Sequence, residues 1–233
     1  MLRYLKTYAL DFSHLFFPHI CNGCGTDVLA DESMLCASCF QQLPSTGFIS
    51  FPENVIEKLF YGRIKVEQAG SAFYFNKNSL IQHLAFELKY KGNKDIGFYL
   101  GKLLGNLISE SGRFNSVDVI IPLPLNVVRQ KKRGYNQAEE IGKGITAVWE
   151  KPLITNAVIR NIFTETQTHK DRISRWQTMD AVFAVDKPAL LQGKHILLVD
   201  DILTTGATME ACGNMILQVP DTRLSIATVA YTI

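Results

Sequence analysis

No stretch of this sequence stays apolar for the ~20 residues that a bilayer-crossing helix needs, so no membrane insertion is expected. Charge of one sign is missing too. There are 24 Lys and Arg against 22 Asp and Glu, a formal net charge of +2. Bulk charge therefore makes no case for nucleic acid or an anionic membrane, and any such case must come from local patches. Low-complexity tracts and a Gly-X-Y period are also absent, which excludes fibrous and wholly disordered classes. The opening stretch, Met1 to Phe17, is broken by Lys6, Asp11 and His14 and lacks the roughly 7–15-residue apolar run of a secretory signal. Leu2, Leu5, Ala9 and Phe12 recur there at helical spacing and predict a short amphipathic helix. The expectation is a cytoplasmic protein. What remains is ordinary globular material: 233 residues, 47% hydrophobic and 20% charged. That length suits one large domain, or a main domain with a small module, at about 100–200 residues per domain.

Cysteine is scarce but concentrated. Four of the five cysteines form Cys21-Asn22-Gly23-Cys24 and Cys36-Ala37-Ser38-Cys39, two CxxC pairs. Zn²⁺ takes four thiolates in a tetrahedron at ~2.3 Å, and each CxxC turn aims two sulfurs at one point. Two disulfides are unusual in a cytosolic chain, and a redox CxxC needs one pair rather than two. The pattern therefore reads as structural zinc, closed to substrate because all four ligands are protein thiolates. A module of residues 1–45 is expected, stabilised by metal because it is too small to hold a core of its own. Pro44-Ser45-Thr46-Gly47 reads as the linker to a second domain, residues 46–233. Cys212 stands apart in a helical pattern and reads as core filler.

Beyond the linker, residues 64–75 suggest strands. Ser79 and Gln82 form a capping box ahead of the amphipathic Leu80, Leu84, Ala85 and Leu88. A helix with Ile96, Leu100, Leu104 and Ile108 on one face follows, and Asn136-Gln137-Ala138-Glu139-Glu140 begins another. Val117–Ile121, His195–Val199 and Leu224–Ala230 are short apolar runs separated by helical patterns, the last helix spanning about 208–218. Such runs suit a parallel sheet covered on both faces, an α/β domain whose ligand crevice lies at the carboxyl ends of the strands.

The run ending at Val199 enters Asp200-Asp201-Ile202-Leu203-Thr204-Thr205-Gly206-Ala207-Thr208. A turn opening a helix offers free backbone N–H groups to an anion, and the threonine hydroxyls add donors. The two carboxylates suit a sugar diol. A group carrying both features is a ribose 5-phosphate. Arg129, Lys131, Lys132 and Arg133 form a basic loop that reads as a phosphate clamp, a solvated loop or a nucleic-acid contact. The polar segment 160–177, with Lys170, Arg172 and Arg175, is long for a connection and reads as an active-site lid or an ordinary surface loop.

The stretch Ile196-Leu197-Leu198-Val199-Asp200-Asp201-Ile202-Leu203-Thr204-Thr205-Gly206-Ala207-Thr208 resembles the phosphoribosyl pyrophosphate (PRPP) signature of type I phosphoribosyltransferases. Val119–Leu125, Arg133–Glu140 and Gln167-Thr168 ahead of Arg172 and Arg175 extend the likeness to the ComF family across the whole chain. The sequence departs from that pattern at Thr178, where the family has asparagine. The resemblance implies a mostly parallel five-stranded sheet with helices on both faces and a small hood, preceded by a four-cysteine zinc module. It implies that Asp200 and Asp201 hold the ribose hydroxyls, and that Thr204, Thr205, Gly206, Ala207 and Thr208 hold the 5-phosphate. Arg129 and Arg133 would approach the pyrophosphate, and Lys170 and Arg172 would close over the reacting centre. Zn²⁺ and PRPP-borne Mg²⁺ are the implied cofactors. The implied activity is phosphoribosyl transfer to an unnamed acceptor in a competence or DNA-uptake context, with a homodimer among the implied assemblies. The alternative is a non-catalytic sensor of PRPP or a nucleotide that contacts DNA or a helicase-like partner.

Overall fold

A computed structural model describes residues 20–27, 33–160 and 182–233. Along the chain come α1 (Ala37–Gln41), α2 (Val55–Phe60), β1 (Ala69–Phe75), α3 (Leu80–Tyr90), α4 (Lys94–Ser111), β2 (Val119–Pro122) and α5 (Val127–Arg133). Then follow α6 (Gln137–Trp149), β3 (Val158–Arg160), β4 (Phe183–Val185), β5 (His195–Leu203), α7 (Ala207–Ile216) and β6 (Arg223–Thr232). The helix expected over residues 1–17 lies outside the described residues.

The three apolar runs become β2, β5 and β6. With β1 they form a parallel sheet in the order β1-β6-β5-β2. Ile196 to Val199 are fully buried, because helices cover the sheet on both faces. The fifth place in the sheet is taken by a parallel bridge between Ile120 and Leu153. Ile120 N–H donates to the Pro152 carbonyl at 2.8 Å, and Ile154 N–H donates to the Ile120 carbonyl at 2.9 Å. β3 and β4 pair antiparallel as a separate ribbon, the hood. The strands expected within 64–75 reduce to one.

On one face Leu84 and Leu88 of α3, Ile96, Leu100 and Leu104 of α4, and Ile141 and Ile145 of α6 pack on Leu197, Val199 and Ala227. On the other, Phe60 of α2, Met209 and Cys212 of α7, and Phe183 of β4 cover Ile196, Leu198 and Ile226. α4 and α6 approach almost backbone to backbone. A Cβ built at Gly101 would lie 2.1 Å from the Ile141 carbonyl oxygen, and one at Gly144 would lie 2.1 Å from the Phe98 carbonyl oxygen.

The stretch expected as a linker is ordered against the edge of β1. Tyr74 N–H donates to the Pro44 carbonyl at 2.8 Å, Thr46 N–H to the Ala72 carbonyl at 3.0 Å, and the Thr46 hydroxyl to the Ser71 carbonyl. A sheet edge with open backbone groups needs such a cover. Cys21, Leu35 and Cys39 belong to the same apolar cluster as α3 and α4, so the cysteine-bearing segment packs directly onto the α/β core.

From β2 the chain leads through α5 and α6 to residues 152–154 on one side. From β5 it leads through α7 to β6 on the other. The winding direction therefore reverses between β2 and β5, and the crevice at their carboxyl ends is where ligands of such sheets bind.

Candidate functional site

Both acids occupy that crevice. Val199 is in register with Pro122, the last residue of β2, and Asp200 is in register with Thr228 of β6. Successive side chains of a strand point to opposite faces, so the two carboxylates diverge. Asp201 turns toward α3. It is buried, and Lys89 Nζ lies 2.9 Å from its Oδ2, an ion pair without hydrogen-bond alignment. Asp200 is half-buried on the α7 side, where its charge helps to push the Cys212 thiol up after burial itself. Burial first, and then the neighbouring Asp201 charge, push the Asp200 carboxyl from 3.8 to about 8.

The turn after β5 has the form an anion site requires. Gly206 caps α7 in the left-handed conformation at φ 75° and brings no side chain to the N–H groups of the helix, while the Thr205 hydroxyl accepts from the first of them, the Ala207 N–H, at 3.5 Å. The N–H groups that follow Ala207 in the first turn are left for a ligand. Thr204, Thr205, Ala207 and Thr208 are exposed around them, and Gly206 is buried against Phe60 and Leu59. Arg63 braces the turn from outside. Its Nη1 donates to the Thr205 carbonyl at 2.8 Å and its Nε to Glu210 Oε2 at 3.0 Å.

The basic segment is a helix, α5, and not the loop expected. Asn126 accepts from the N–H groups of Val128 and Arg129, and Gly134 ends the helix at φ 86°. None of its residues is buried, so caps rather than an apolar face define it. Arg129, Lys131 and Lys132 are exposed. Arg133 folds back to donate to Gln137 Oε1, with its guanidinium 6.0 Å from the centre of the Tyr90 ring. Arg129 and Arg133 thus follow the carboxyl end of β2, on the side of the crevice opposite α7. Lys170, Arg172, Arg175 and Thr178 lie outside the described residues.

Lys89 was not among the residues singled out from the sequence. It stands in the last turn of α3, where a lysine ordinarily answers the helix dipole, and only the fold brings it to Asp201. Tyr135 fixes that end of the helix by donating to the Leu88 carbonyl. His195 sits at the amino end of β5, away from the crevice. Its Nε2 is 2.8 Å from Ser225 Oγ and its Nδ1 3.0 Å from Ser116 Oγ, a satisfied structural contact.

The four cysteines converge as their spacing requires. The sulfurs of Cys21, Cys24, Cys36 and Cys39 all lie within 4.8 Å of one another. Cys24 and Cys36 are 3.7 Å apart, close to the ~3.8 Å edge of a tetrahedron with ~2.3 Å zinc–sulfur bonds. A disulfide needs about 2.05 Å, so the four sulfurs are unbridged and set at a spacing that could hold a metal ion. Cys21 Sγ also accepts from the N–H groups of Gly23 at 3.3 Å and Cys36 at 3.2 Å, contacts that favour a thiolate.

A parallel sheet reversing at β2 and β5, an acid pair at that point and an open helix N-terminus behind it define a class of protein. Residues 112–232 match the phosphoribosyl transferase domain, and the chain belongs to that family, with the type I fold. Within it the chain sits with the ComF proteins. Competence protein F of Haemophilus influenzae is 27% identical over 205 residues, covering 86% of this chain and 79% of that protein. Competence protein ComFC of Bacillus subtilis is 30% identical over 100 residues, 43% of this chain and 38% of that one. Among solved structures, glutamine PRPP amidotransferase from B. subtilis, complexed with ADP and GMP, shows 17% identity and a TM-score of 0.45, covering 62% of this chain and 30% of that one. No helix among the described residues is long and apolar enough to cross a membrane.

Proposed function

We propose that the protein binds PRPP with Mg²⁺ and transfers its phosphoribosyl group to an acceptor, releasing pyrophosphate. The observation that carries this reading is the glycine-led N-terminus of α7 directly behind the acid pair, at the point where the sheet reverses. The N–H groups of α7 and the hydroxyls of Thr204, Thr205 and Thr208 hold the 5-phosphate. Asp200 and Asp201 take the 2- and 3-hydroxyls, with Lys89 balancing the charge of Asp201. Arg129 and Arg133 face the pyrophosphate from the β2 side, and Lys170 and Arg172 come from the segment between β3 and β4. Mg²⁺ bound through the phosphates would supply counter-charge for the leaving group, beside Arg129 and Arg133. The bond from C1 to pyrophosphate breaks and one from C1 to the acceptor forms, so no covalent protein nucleophile is required. Relatives named as competence proteins support a competence or DNA-uptake setting for this activity, and a cytoplasmic location belongs to the same reading. The exposed cations of α5 favour a second reading, a PRPP or nucleotide sensor that touches a nucleic-acid backbone.

Asp200→Asn tests the site twice. Above about pH 8, where the carboxyl is ionised, a charged acceptor for a hydroxyl is lost, so PRPP affinity measured there by calorimetry should fall about ten- to a hundredfold. Stability should move the other way. A carboxyl raised from 3.8 to about 8 in the fold holds a proton that the unfolded chain releases. The parent should therefore lose stability as pH rises from about 4 to 8, and Asp200→Asn should remove that part of the slope in denaturant titrations. Undiminished PRPP binding by the variant would sink the ribose-phosphate assignment.

We also infer that the cysteine cluster holds one structural zinc ion per chain. Elemental analysis of protein made in zinc-replete medium should give one equivalent. Cys36→Ser should lower metal content and thermal stability while leaving a PRPP site in the folded fraction. Metal-free protein with oxidised cysteines would contradict this.

A further inference from the structure

Two hydroxyls on neighbouring strands of the sheet, β1 and β6, have no hydrogen-bond partner among the described residues. Ser71 Oγ and Thr228 Oγ1 are both fully buried. Buried hydroxyls are nearly always satisfied, and leaving one unpaired costs on the order of 1–3 kcal/mol. They are also neighbours. Ser71 of β1 is in register with Thr228 of β6, and Thr228 is in register with Asp200 of β5. In parallel strands, residues in register point to the same face, so Ser71, Thr228 and Asp200 form one polar row across three strands. Ala69, Ile226 and Leu198, two residues earlier on each strand, belong to the apolar cluster under α2 and α7, which places the row on that face.

The spacing of the row suits water. Adjacent strands lie ~4.8 Å apart, too far for a direct hydroxyl–hydroxyl bond between side chains standing upright, and one water bonded at ~2.8 Å to each side spans that gap. A buried water needs two to four polar partners. One water between Ser71 and Thr228 and a second between Thr228 and Asp200 would each have two, the second meeting a carboxyl whose Oδ1 already accepts from the Asp201 N–H at 2.8 Å.

We propose that Thr228 and Ser71 are positioning residues for Asp200, holding its carboxyl from behind through one or two bound waters so that it meets the ribose in a fixed orientation. This rests on the ribose-phosphate reading of the site. Asp201 of the same strand and Lys89 of α3 bear on the charge of Asp200. Cys212 of α7 lies close enough to feel it, and Arg160 of β3 acts on Cys212. Hydrogen bonds to the ionised carboxyl favour that form. Removing the row should therefore move the pH at which PRPP binding fails to a higher value.

The experiment is PRPP calorimetry across pH on the parent, Thr228→Val, Thr228→Ser, Ser71→Ala and Asp200→Asn. Thr228→Val should bind about three- to tenfold more weakly, as loss of one hydrogen bond predicts. Its binding should fail at higher pH than the parent's, and Thr228→Ser should restore both. Thermal stability of Thr228→Val should equal or exceed the parent's, which separates positioning from structural damage. If Asp200→Asn loses binding but Thr228→Val and Ser71→Ala match the parent in affinity and pH dependence, this inference falls and the ribose site stands. If Asp200→Asn binds like the parent, both fall. Should the Thr228 variants not fold, a high-resolution crystal structure of the parent decides: water within ~3.2 Å of both hydroxyls upholds the row, and a dry row overturns it.

Discussion

Gly144→Ala should cost the protein on the order of 3 kcal/mol or more and lower its melting temperature by about 10 °C, at ~2–4 °C per kcal/mol for a chain of this size. Helix propensity alone predicts the opposite sign, because alanine improves a helix interior over glycine by ~1 kcal/mol. Packing overrides it. The new Cβ would lie 2.1 Å from the Phe98 carbonyl oxygen, 2.8 Å from Gly101 Cα and 2.8 Å from Lys102 N. All three are backbone atoms, so no rotamer change relieves the overlap, and α4 must move away from α6. That movement pulls Leu100 and Leu104 off Ile141 and Ile145, opening the core beneath β5. Gly92→Ala is the control. Its φ is +75° but nothing lies within 4 Å of the added carbon, so only backbone strain of about 1–2 kcal/mol is expected. Equal melting temperatures for the two variants would refute the close-packing account.

How much of this was legible in the sequence follows from how local each feature is. The acid pair, the threonine turn and Gly206 are consecutive, so one strand–turn–helix carries their geometry and their order alone reveals it. The cysteines are two local turns that need only meet. Ser79 and Gln82 were readable for the same reason, although Gln82 Oε1 accepts from the Asn78 N–H at 2.7 Å, one residue earlier than the simplest capping box. α5 was missed because Arg129 to Arg133 show no apolar period, and the helix is built by Asn126 and Gly134 at its two ends. Pro44 to Gly47 has the composition of a turn, and only an open β1 edge makes it a pairing segment. The glycines of α4 and α6 read as weak helix positions until the opposing backbone is present. Asp200 and Asp201 read as one diol clamp, but strand alternation and Lys89 divide them between two environments.

Lys89→Met is the second large effect, and it separates the roles of the two acids. The parent pairs Lys89 with Asp201 at side-chain exposures of 22% and 7%. Removing the lysine leaves a buried carboxylate without its counter-charge, a change that costs about 3–5 kcal/mol in comparable buried pairs. Lys89→Met should therefore be among the least stable folded variants in urea titration. Adding Asp201→Asn should recover most of that loss, because the double variant has no unpaired charge to bury. The coupling between the two positions, measured in a double-mutant cycle, should exceed 1 kcal/mol. Binding should not recover with stability. The double variant lacks both the charged acceptor and the cation beside it, so PRPP affinity should stay at least tenfold below the parent's. Lys89→Arg should keep the charge but place a wider, planar group against Asp201, with an intermediate loss. If the double variant bound PRPP as the parent does, Lys89 and Asp201 would be a structural pair only, and Asp200 alone would carry the ribose contact.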